Sequence, residues 1–376
     1  MKNIEQSNLD KIIALRHLLH SRPDLSLQEA GTIAILKGFL REHTTLELVD
    51  REGWFYAMKR PSAEPAAAPI AFRADMDALP MDEGISLPYG SVHGGAAHKC
   101  GHDGHMAALC GLALELERRE VSRAVYLIFQ PAEEIGRGAV RCAELIGEAG
   151  IGEIYAFHNL SGYPENRVVY RRSLTQPASE GLTIRLHGRP SHASAPEEGR
   201  NPSAALAELA LAARHLPEAP HEGMALCTVV GMQCGTGDFG ISAGEGLLSV
   251  TLRAEQEPFM KAMEAKLLQK AGELSERDGL RAEHEIRDAF PETRNHDQAL
   301  DRVLRKAEAL RLPVLEMREL WRASEDFGHY LKRCPGAMFY IGNGEGYPAL
   351  HTSGYDFNDR ILKTAVEVFL ALVEED

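Results

Sequence analysis

The stretch AVYLIFQPAEE, residues 124–134, is an apolar run that stops at Gln130 and Pro131 and is followed at once by two glutamates. An unbroken run from Ala124 to Phe129 fits a strand covered on both faces, as in a parallel sheet. Helical patterns flank it. Upstream, Met106, Leu109, Leu112 and Leu116 recur at helical spacing. Downstream, Gly136 and Gly138 turn the chain into a helix over Val140 to Ile146, and Glu153 to Phe157 reads as another short strand with His158 at its end. This alternation predicts an α/β sheet, and ligands of such sheets bind beyond the carboxyl ends of the strands. Asp75 and Asp77, which follow the short strand beginning at Pro69, fall in that position, as do Glu133, Glu134 and His158. Taken alone, Asp75 and Asp77 either face one pocket or cap a turn.

The same neighbourhood contains HKCGHDGH, His98 to His105. Cys100 and His102 flank one glycine where a loop enters a helix, so both can point into one space. A helix N-terminus favours a thiolate. Each of these residues alone has a blander reading: a core cysteine, a surface histidine, a solvated Glu-Glu helix start. Their convergence on strand ends is what points to a metal, because a borderline cation such as zinc takes thiolate, imidazole and carboxylate ligands. Adjacent glutamates suit two tasks. One binds metal while the other, unligated, takes a proton from water acidified to ~7 and passes it to a leaving amine. That pairing describes amide hydrolysis. His105, one turn after His102, fits packing or support better than ligation. His93 and His98 have no assignment.

The chain opens with a helix in which Ile12, Leu15, Leu18 and Leu19 recur. Ser26 and Glu29 read as a capping box for a second helix running through Ile33 to Leu40. Leu46 to Val49 and Trp54 to Lys59 are strand candidates, Pro61 to Pro69 a Pro/Ala-rich connection, and Glu83 to Ala97 a Gly-rich loop. After about Ser179 the pattern changes. Strand Gly181 to His187, helix Pro202 to Leu216, strands Met224 to Gly231 and Leu247 to Ala254, helix Pro258 to Ser275 and strand Leu280 to Arg287 give β-α-β-β-α-β, the ferredoxin-like order. Helix Gln298 to Ala309, strand Ala337 to Ile341 and helix Phe357 to Val373 then resume α/β character. The expectation is a two-domain α/β protein: residues 1–178 and 289–376 form a catalytic domain around a mixed sheet, and 179–288 an inserted unit.

Composition agrees with this class. A chain of 376 residues exceeds one hydrophobic core, and its 44% apolar and 26% charged residues are ordinary for a globular protein. No apolar run approaches the roughly 20 residues of a membrane span. The polar start MKNIEQSNLDK is no signal peptide, which makes the cytoplasm the expected compartment. A formal charge of -14 argues against nucleic acid as a partner. Six cysteines without CxxC spacing read as thiols, mostly in the core.

Several motifs in order carry a resemblance: LRHLLHSRPDLSLQE, FRADMDALP, HKCGHDGH, FQPAEE, HNL, GRPSHASAPEEGRNP, SEDFGHYL and LHTSGYDFND. The chain resembles the dinuclear-metal amidohydrolases that include hippurate hydrolases, N-acyl-amino-acid amidohydrolases and auxin-conjugate hydrolases, nearly end to end. The resemblance implies two divalent ions, zinc or manganese, with cobalt or nickel as further candidates. Cys100 would bridge them, where more distant dizinc peptidases have aspartate, and His102, Glu134, His158 and His351 would complete the ligands. Glu133 would be the general base and acid, and Asp77 would orient a ligand or the reacting water. The insert would be a lid carrying His192 to the oxyanion, with Arg253 near a substrate carboxylate; a homodimer through the lid is an assembly this allows. One position departs from the resemblance: counted back from Arg253, the family's usual asparagine falls on Gly240, which has no side chain to bind substrate.

The expected activity is therefore hydrolysis of an N-acyl amino acid or related small amide. The alternatives are a dipeptidase or aminopeptidase, recognising a free amine, and a hydrolytic deaminase of an aromatic amine. A non-catalytic metal-stabilised binding protein is disfavoured by Glu133, since a structural site needs no unligated carboxylate.

Overall fold

The computed structural model describes residues 4–65 and 67–374; Met1–Asn3 of the polar N-terminal stretch and Ala66 of the Pro/Ala-rich connection lie outside them. Two units divide the described residues: Met1–Thr175 with Thr293–Trp321 and Glu325–Asp376, and Gln176–Glu292 with Arg322–Ser324.

In chain order the first unit contains α1 (Gln6–Ser21), α2 (Ala30–His43), β1 (Glu47–Arg51), β2 (Trp54–Lys59), β3 (Ile70–Asp75), α3 (His102–Glu117) and β4 (Val125–Gln130). It continues through the short α4 (Ala139–Cys142) and α5 (Glu144–Glu148), then β5 (Glu153–Ser161), β6 (Val168–Tyr170) and β7 (Leu174–Gln176). The second unit follows as β8 (Ala178–His187), β9 (Ser191–His192), α6 (Ser203–His215), β10 (Ala225–Cys234), β11 (Ile241–Ser242), β12 (Glu245–Ala254), α7 (Glu257–Asp278) and β13 (Arg281–Phe290). The chain returns with β14 (Thr293–Arg294), α8 (Asp297–Ala309), β15 (Val314–Glu316), α9 (Gly328–Leu331), β16 (Gly336–Gly344) and α10 (Leu362–Val373).

The sheet of the first unit runs β1-β2-β4-β3-β5-β16-β6-β15, with β4, β3, β5 and β16 mutually parallel at its centre. Every residue of β3 is buried, and all of β4 but Tyr126, which is why their sequences read as apolar runs rather than alternations. α3 is buried from His102 to Leu116, so it too is apolar all round. Each large side chain sunk in this core contributes roughly 1.5–3 kcal/mol.

The second unit has four antiparallel strands in the order β10-β12-β8-β13, with α6 and α7 packed in one core against them. In β12 the inward residues Leu248, Val250, Leu252 and Ala254 alternate with outward ones, the period-two pattern of a half-buried strand.

Several local expectations are corrected. Ser26 does not cap α2; its hydroxyl donates to Asp77 Oδ2 at 2.7 Å. Asp24 does the capping, Oδ2 accepting from Thr32 N at 2.7 Å, and the Glu29 carboxylate turns inward to accept from Leu27 N and Ala132 N. Leu18 faces outward, unlike Ile12, Leu15 and Leu19. The helix expected over Val140 to Ile146 is two short turns, α4 and α5. His158 lies inside β5, because pairing with β16 carries that strand on to Ser161. Phe357 and Asn358 precede the last helix rather than join it: Asn358 is extended and its side chain accepts from Arg360 N, starting a 3₁₀ turn over Asp359–Ile361. Cys227 is half-buried and Cys234 exposed, so neither is a core thiol. Among the described residues no helix is long and apolar enough to cross a membrane.

Candidate metal centre

β3 and β4 pair so that Asp75 stands opposite Gln130. Asp77 and the Glu133–Glu134 turn therefore leave the sheet from neighbouring strand ends, while β5 supplies His158. Cys100 precedes α3 and His102 is its first residue. Two glycines make this approach feasible. Gly101 has φ +107, and a Cβ there would lie 2.2 Å from Asn159 Oδ1; a Cβ on Gly104 would lie 2.2 Å from the Phe357 ring. His351 is pinned to the same loop, its N–H donating to Lys99 O at 2.8 Å, with φ +60. Such backbone strain costs on the order of 1–3 kcal/mol and clusters at functional sites.

The five expected ligands meet. Cys100 Sγ is 3.4 Å from His158 Nε2 and 3.3 Å from His351 Nε2. Glu134 Oε1 is 3.7 Å from His102 Nε2 and 3.6 Å from His351 Nε2. Cys100, His102 and His158 form one group whose donor atoms lie within 4.8 Å of one another, and Cys100, Glu134 and His351 form a second. Cys100 belongs to both. Glu133 is in neither of these two, and groups with His102 and Glu134.

The rings are oriented by what lies behind them. His102 Nδ1 meets Asp77 O at 2.8 Å, and His158 Nδ1 meets Asn159 O at 2.7 Å. A carbonyl only accepts, so each Nδ1 carries the proton and each Nε2 turns its lone pair into the cluster. His102 Nε2 and Glu134 Oε1, which face each other, are buried without a hydrogen-bond partner. An unsatisfied buried group costs about 1–3 kcal/mol, so two facing one space need a reason. A divalent cation supplies it, and the thiol, imidazole and carboxylate set suits a borderline metal.

Support comes partly from residues that sequence reasoning left without a role. Arg73 is buried, its guanidinium 2.7 Å from Asp75, 3.1 Å from Glu325 and 2.8 Å from Asp326. Gln130 accepts from Arg73 Nε and donates to Asp326. Asp75 in turn meets His105 Nδ1 at 2.6 Å, while His105 Nε2 meets Asn159 Oδ1 at 2.7 Å. His105 is thus engaged through both nitrogens by supporting groups. Asp77 Oδ2 accepts from Ser26 and, at 3.0 Å, from Glu134 N, so Asp77 contacts two of the expected ligands. The signal in sequence was proximity: Arg73 stands two residues before Asp75 and Gln130 three before Glu133, and Glu325 and Asp326 form the centre of SEDF.

Without a cation the cluster is electrostatically crowded. Burial, then Glu325 and Glu134, holds Glu133 well above the usual carboxyl range. Burial pushes Glu134 up to about 7, with Asp77 and Asp75 adding to it and His102 opposing. Burial alone would depress His102, but Asp75, Asp77 and Glu134 outweigh it and hold the imidazole up to about 10. Burial, then Glu134, Glu133 and Asp75, holds the metal-free Cys100 thiol well above its ordinary value. A bound dication inverts that balance.

Glu29, behind Asp77, gives a prediction. Burial, then the charge of Asp77, raises its carboxyl from 4.5 to about 7. The folded chain therefore holds this proton more tightly than the unfolded one. The resulting stability is complete below pH 4.5 and is lost as pH rises through about 7. Glu29→Gln, which keeps the acceptor for Leu27 N and Ala132 N, should stabilise metal-free protein at pH 8 by roughly 3 kcal/mol. It should do little at pH 4.5. Urea unfolding at the two pH values checks this; an equal gain at both would show that the charge is not the cause.

His192 and Arg253 are carried by the second unit. His192 Nδ1 accepts from Ser194 N at 3.1 Å, so the exposed ring presents Nε2–H outward. Gly240 is hydrogen-bonded beside it, its carbonyl accepting from Ala193 N at 2.9 Å and its N–H donating to Asp238 at 2.7 Å. Arg253, on the outward face of β12, donates through Nη1 to Arg322 O.

A family model described as peptidase family M20/M25/M40 matches residues 71–375. Hippurate hydrolase of Campylobacter jejuni is 28% identical over 98% of this chain and 96% of its own length. N-acetylcysteine deacetylase of Bacillus subtilis is 27% identical, over 96% of each chain. A solved Bacillus subtilis structure, described as a dinuclear metal binding peptidase from the M20 family, is 25% identical and covers 98% of both chains with a TM-score of 0.81.

Proposed function

The chain belongs to the peptidase family M20/M25/M40, and from that premise we propose that it hydrolyses the amide bond of an N-acyl amino acid or a related small amide. The observation that carries this reading is the pair of three-donor groups sharing Cys100, with Glu133 beside them and in neither. In this reading Cys100, His102 and His158 would hold one divalent ion, and Cys100, Glu134 and His351 a second. Zinc or manganese suits these donors, with cobalt or nickel as alternatives. The ions would supply Lewis acidity, polarising the scissile carbonyl and acidifying water to ~7.

The chain's own groups do the rest. Glu133 takes a proton from the attacking water and delivers it to the leaving amine nitrogen. Its place beside both donor groups and in neither supports this, because the group must stay free to hold the proton between the two steps. Asp77 is a positioning residue, holding His102 by its carbonyl and Glu134 by its carboxylate. His192 offers Nε2–H to the oxyanion, a role supported by the hydrogen bond that leaves its other nitrogen unprotonated. Residues 179–288 then act as the lid. A homodimer through this unit is supported by β10, an edge strand on which Val230 and Met232 are exposed.

The test is a panel of N-acyl amino acids, free dipeptides and aromatic amines with metal-loaded protein. Turnover of substrates whose amine is blocked supports the proposal; turnover of free dipeptides alone would make the chain an aminopeptidase. His192→Ala should lower kcat roughly 10²–10³-fold with metal content unchanged. An unchanged kcat would reduce His192 to a surface residue. Gly240 offers no side chain to the substrate, so Arg253 is assigned its carboxylate through a two-pronged, charge-assisted contact. Arg253→Met should raise KM strongly for carboxylate-bearing amides and little for simple amides of the same acyl group. Equal losses on both would mark Arg253 as structural.

A further inference from the structure

Apart from the metal centre, the first unit has a cavity of about 450 Å³ that borders the turn carrying Glu133 and Glu134. Its size lies within the roughly 300–1,000 Å³ of small-molecule sites. Trp54, Leu27 and Val140 give it an apolar wall, and Leu27 and Val140 are largely exposed. Arg137 and Arg141 stand on the same rim, exposed and outside any ion pair among the described residues. Two carboxylates, Glu29 and Glu52, complete the lining. Two guanidinium groups and two acidic side chains, one of them the buried Glu29, give it walls of opposite character. That balance suits a small zwitterion with an apolar body better than a simple anion.

One wall of the cavity is tied to the catalytic turn. Glu29 Oε1 accepts from Leu27 N at 3.0 Å and from Ala132 N at 2.8 Å. Ala132 directly precedes Glu133 and sits at φ +52, a conformation that persists only where neighbours hold it. A cation drawn to Glu29 competes for the oxygen that holds Ala132.

We propose that this cavity binds a free α-amino acid with an apolar side chain, its carboxylate on Arg137 and Arg141, its ammonium on Glu29 and its side chain against Trp54, and that occupancy acts on the Glu133–Glu134 turn through Ala132. The inference rests on the amidohydrolase reading in one respect: a free amino acid is the product of N-acyl-amino-acid cleavage, so the site would sense product.

The experiment titrates L-leucine into the metal-loaded full chain by calorimetry, with R137A/R141A as the comparison. Both arginines are exposed and outside the catalytic machinery, so the variant should match wild type in fold and in uninhibited kcat. Wild type should bind L-leucine on the order of tenfold more tightly than the variant does. It should also bind 4-methylpentanoate and 3-methylbutylamine, which lack the ammonium and the carboxylate respectively and carry no amide to cleave, on the order of tenfold less tightly than L-leucine. In turnover assays L-leucine should lower kcat in wild type without raising KM, and leave kcat of R137A/R141A unchanged. Equal binding to wild type and variant, equal binding of the three ligands, or purely competitive inhibition overturns the proposal. If no N-acyl amino acid is cleaved at all, the calorimetric comparison still decides the cavity, so the two readings fail separately.

Discussion

Glu133→Gln should retain its fold and its metal while kcat falls roughly 10²–10⁴-fold, the usual worth of a general acid–base group. Glu133 is buried, and its Oε2 stands 3.9 Å from His102 Nε2, the longest approach of either glutamate to that nitrogen. It belongs to neither donor group that contains Cys100. Its surroundings favour proton binding: burial comes first, and the carboxylates of Glu325, Glu134 and Asp326 add to it against the opposing charge of Arg73. Glutamine keeps the shape and one acceptor but cannot carry a proton between water and amine. Glu134→Gln is the contrast. That residue lies with Cys100 and His351, so its amide should weaken metal binding. Elemental analysis of both variants separates the roles. Metal loss in Glu133→Gln with retention in Glu134→Gln would reverse the assignment of the pair.

How much of this was legible in the sequence depended on the range of the interaction. The parallel centre was legible because burial on both faces leaves an unbroken apolar run, as in β4. The antiparallel unit was legible for the opposite reason: GLLSVTLRA alternates because β12 has one wet face. Strand ends in an α/β sheet converge, so Asp75, Asp77, Glu133, Glu134 and His158 could be grouped without knowing any distance, while the choice of ligands among them came from the resemblance. What escaped was decided by partners distant in the chain. Ser26 has the local look of a helix cap, yet its hydroxyl reaches Asp77, 51 positions on. Arg73 inside a hydrophobic strand carries no local hint that Asp326 lies 253 positions away to receive it. The extension of β5 past His158 follows from the length of β16, and the late start of α10 from the Asn358 side chain.

Cys100→Ala should cost the protein both ions, where His351→Ala should cost it one. The sulfur is the only atom common to the two donor groups, 3.4 Å from His158 Nε2 and 3.3 Å from His351 Nε2. Altering a residue that merely supports a ligand commonly weakens metal binding by roughly 10–100-fold. Removing a shared ligand must exceed that at both positions. Without Cys100, His102 and His158 remain as two imidazoles, and Glu134 and His351 as one carboxylate and one imidazole. Neither pair reaches the three protein ligands of an ordinary catalytic zinc site. Without His351, by contrast, the group of Cys100, His102 and His158 stays whole. Elemental analysis after dialysis should therefore approach two ions per chain in wild type, about one in His351→Ala and close to none in Cys100→Ala. Circular dichroism should report the same fold in all three, because the core of the first unit lies in β3, β4 and α3 rather than at the sulfur. Two tightly held ions in Cys100→Ala would show that the thiol is not shared. A wild type that saturates at one ion with full activity would remove the two-metal reading itself, leaving a single ion to be served by whichever donor group the histidine variants then identify.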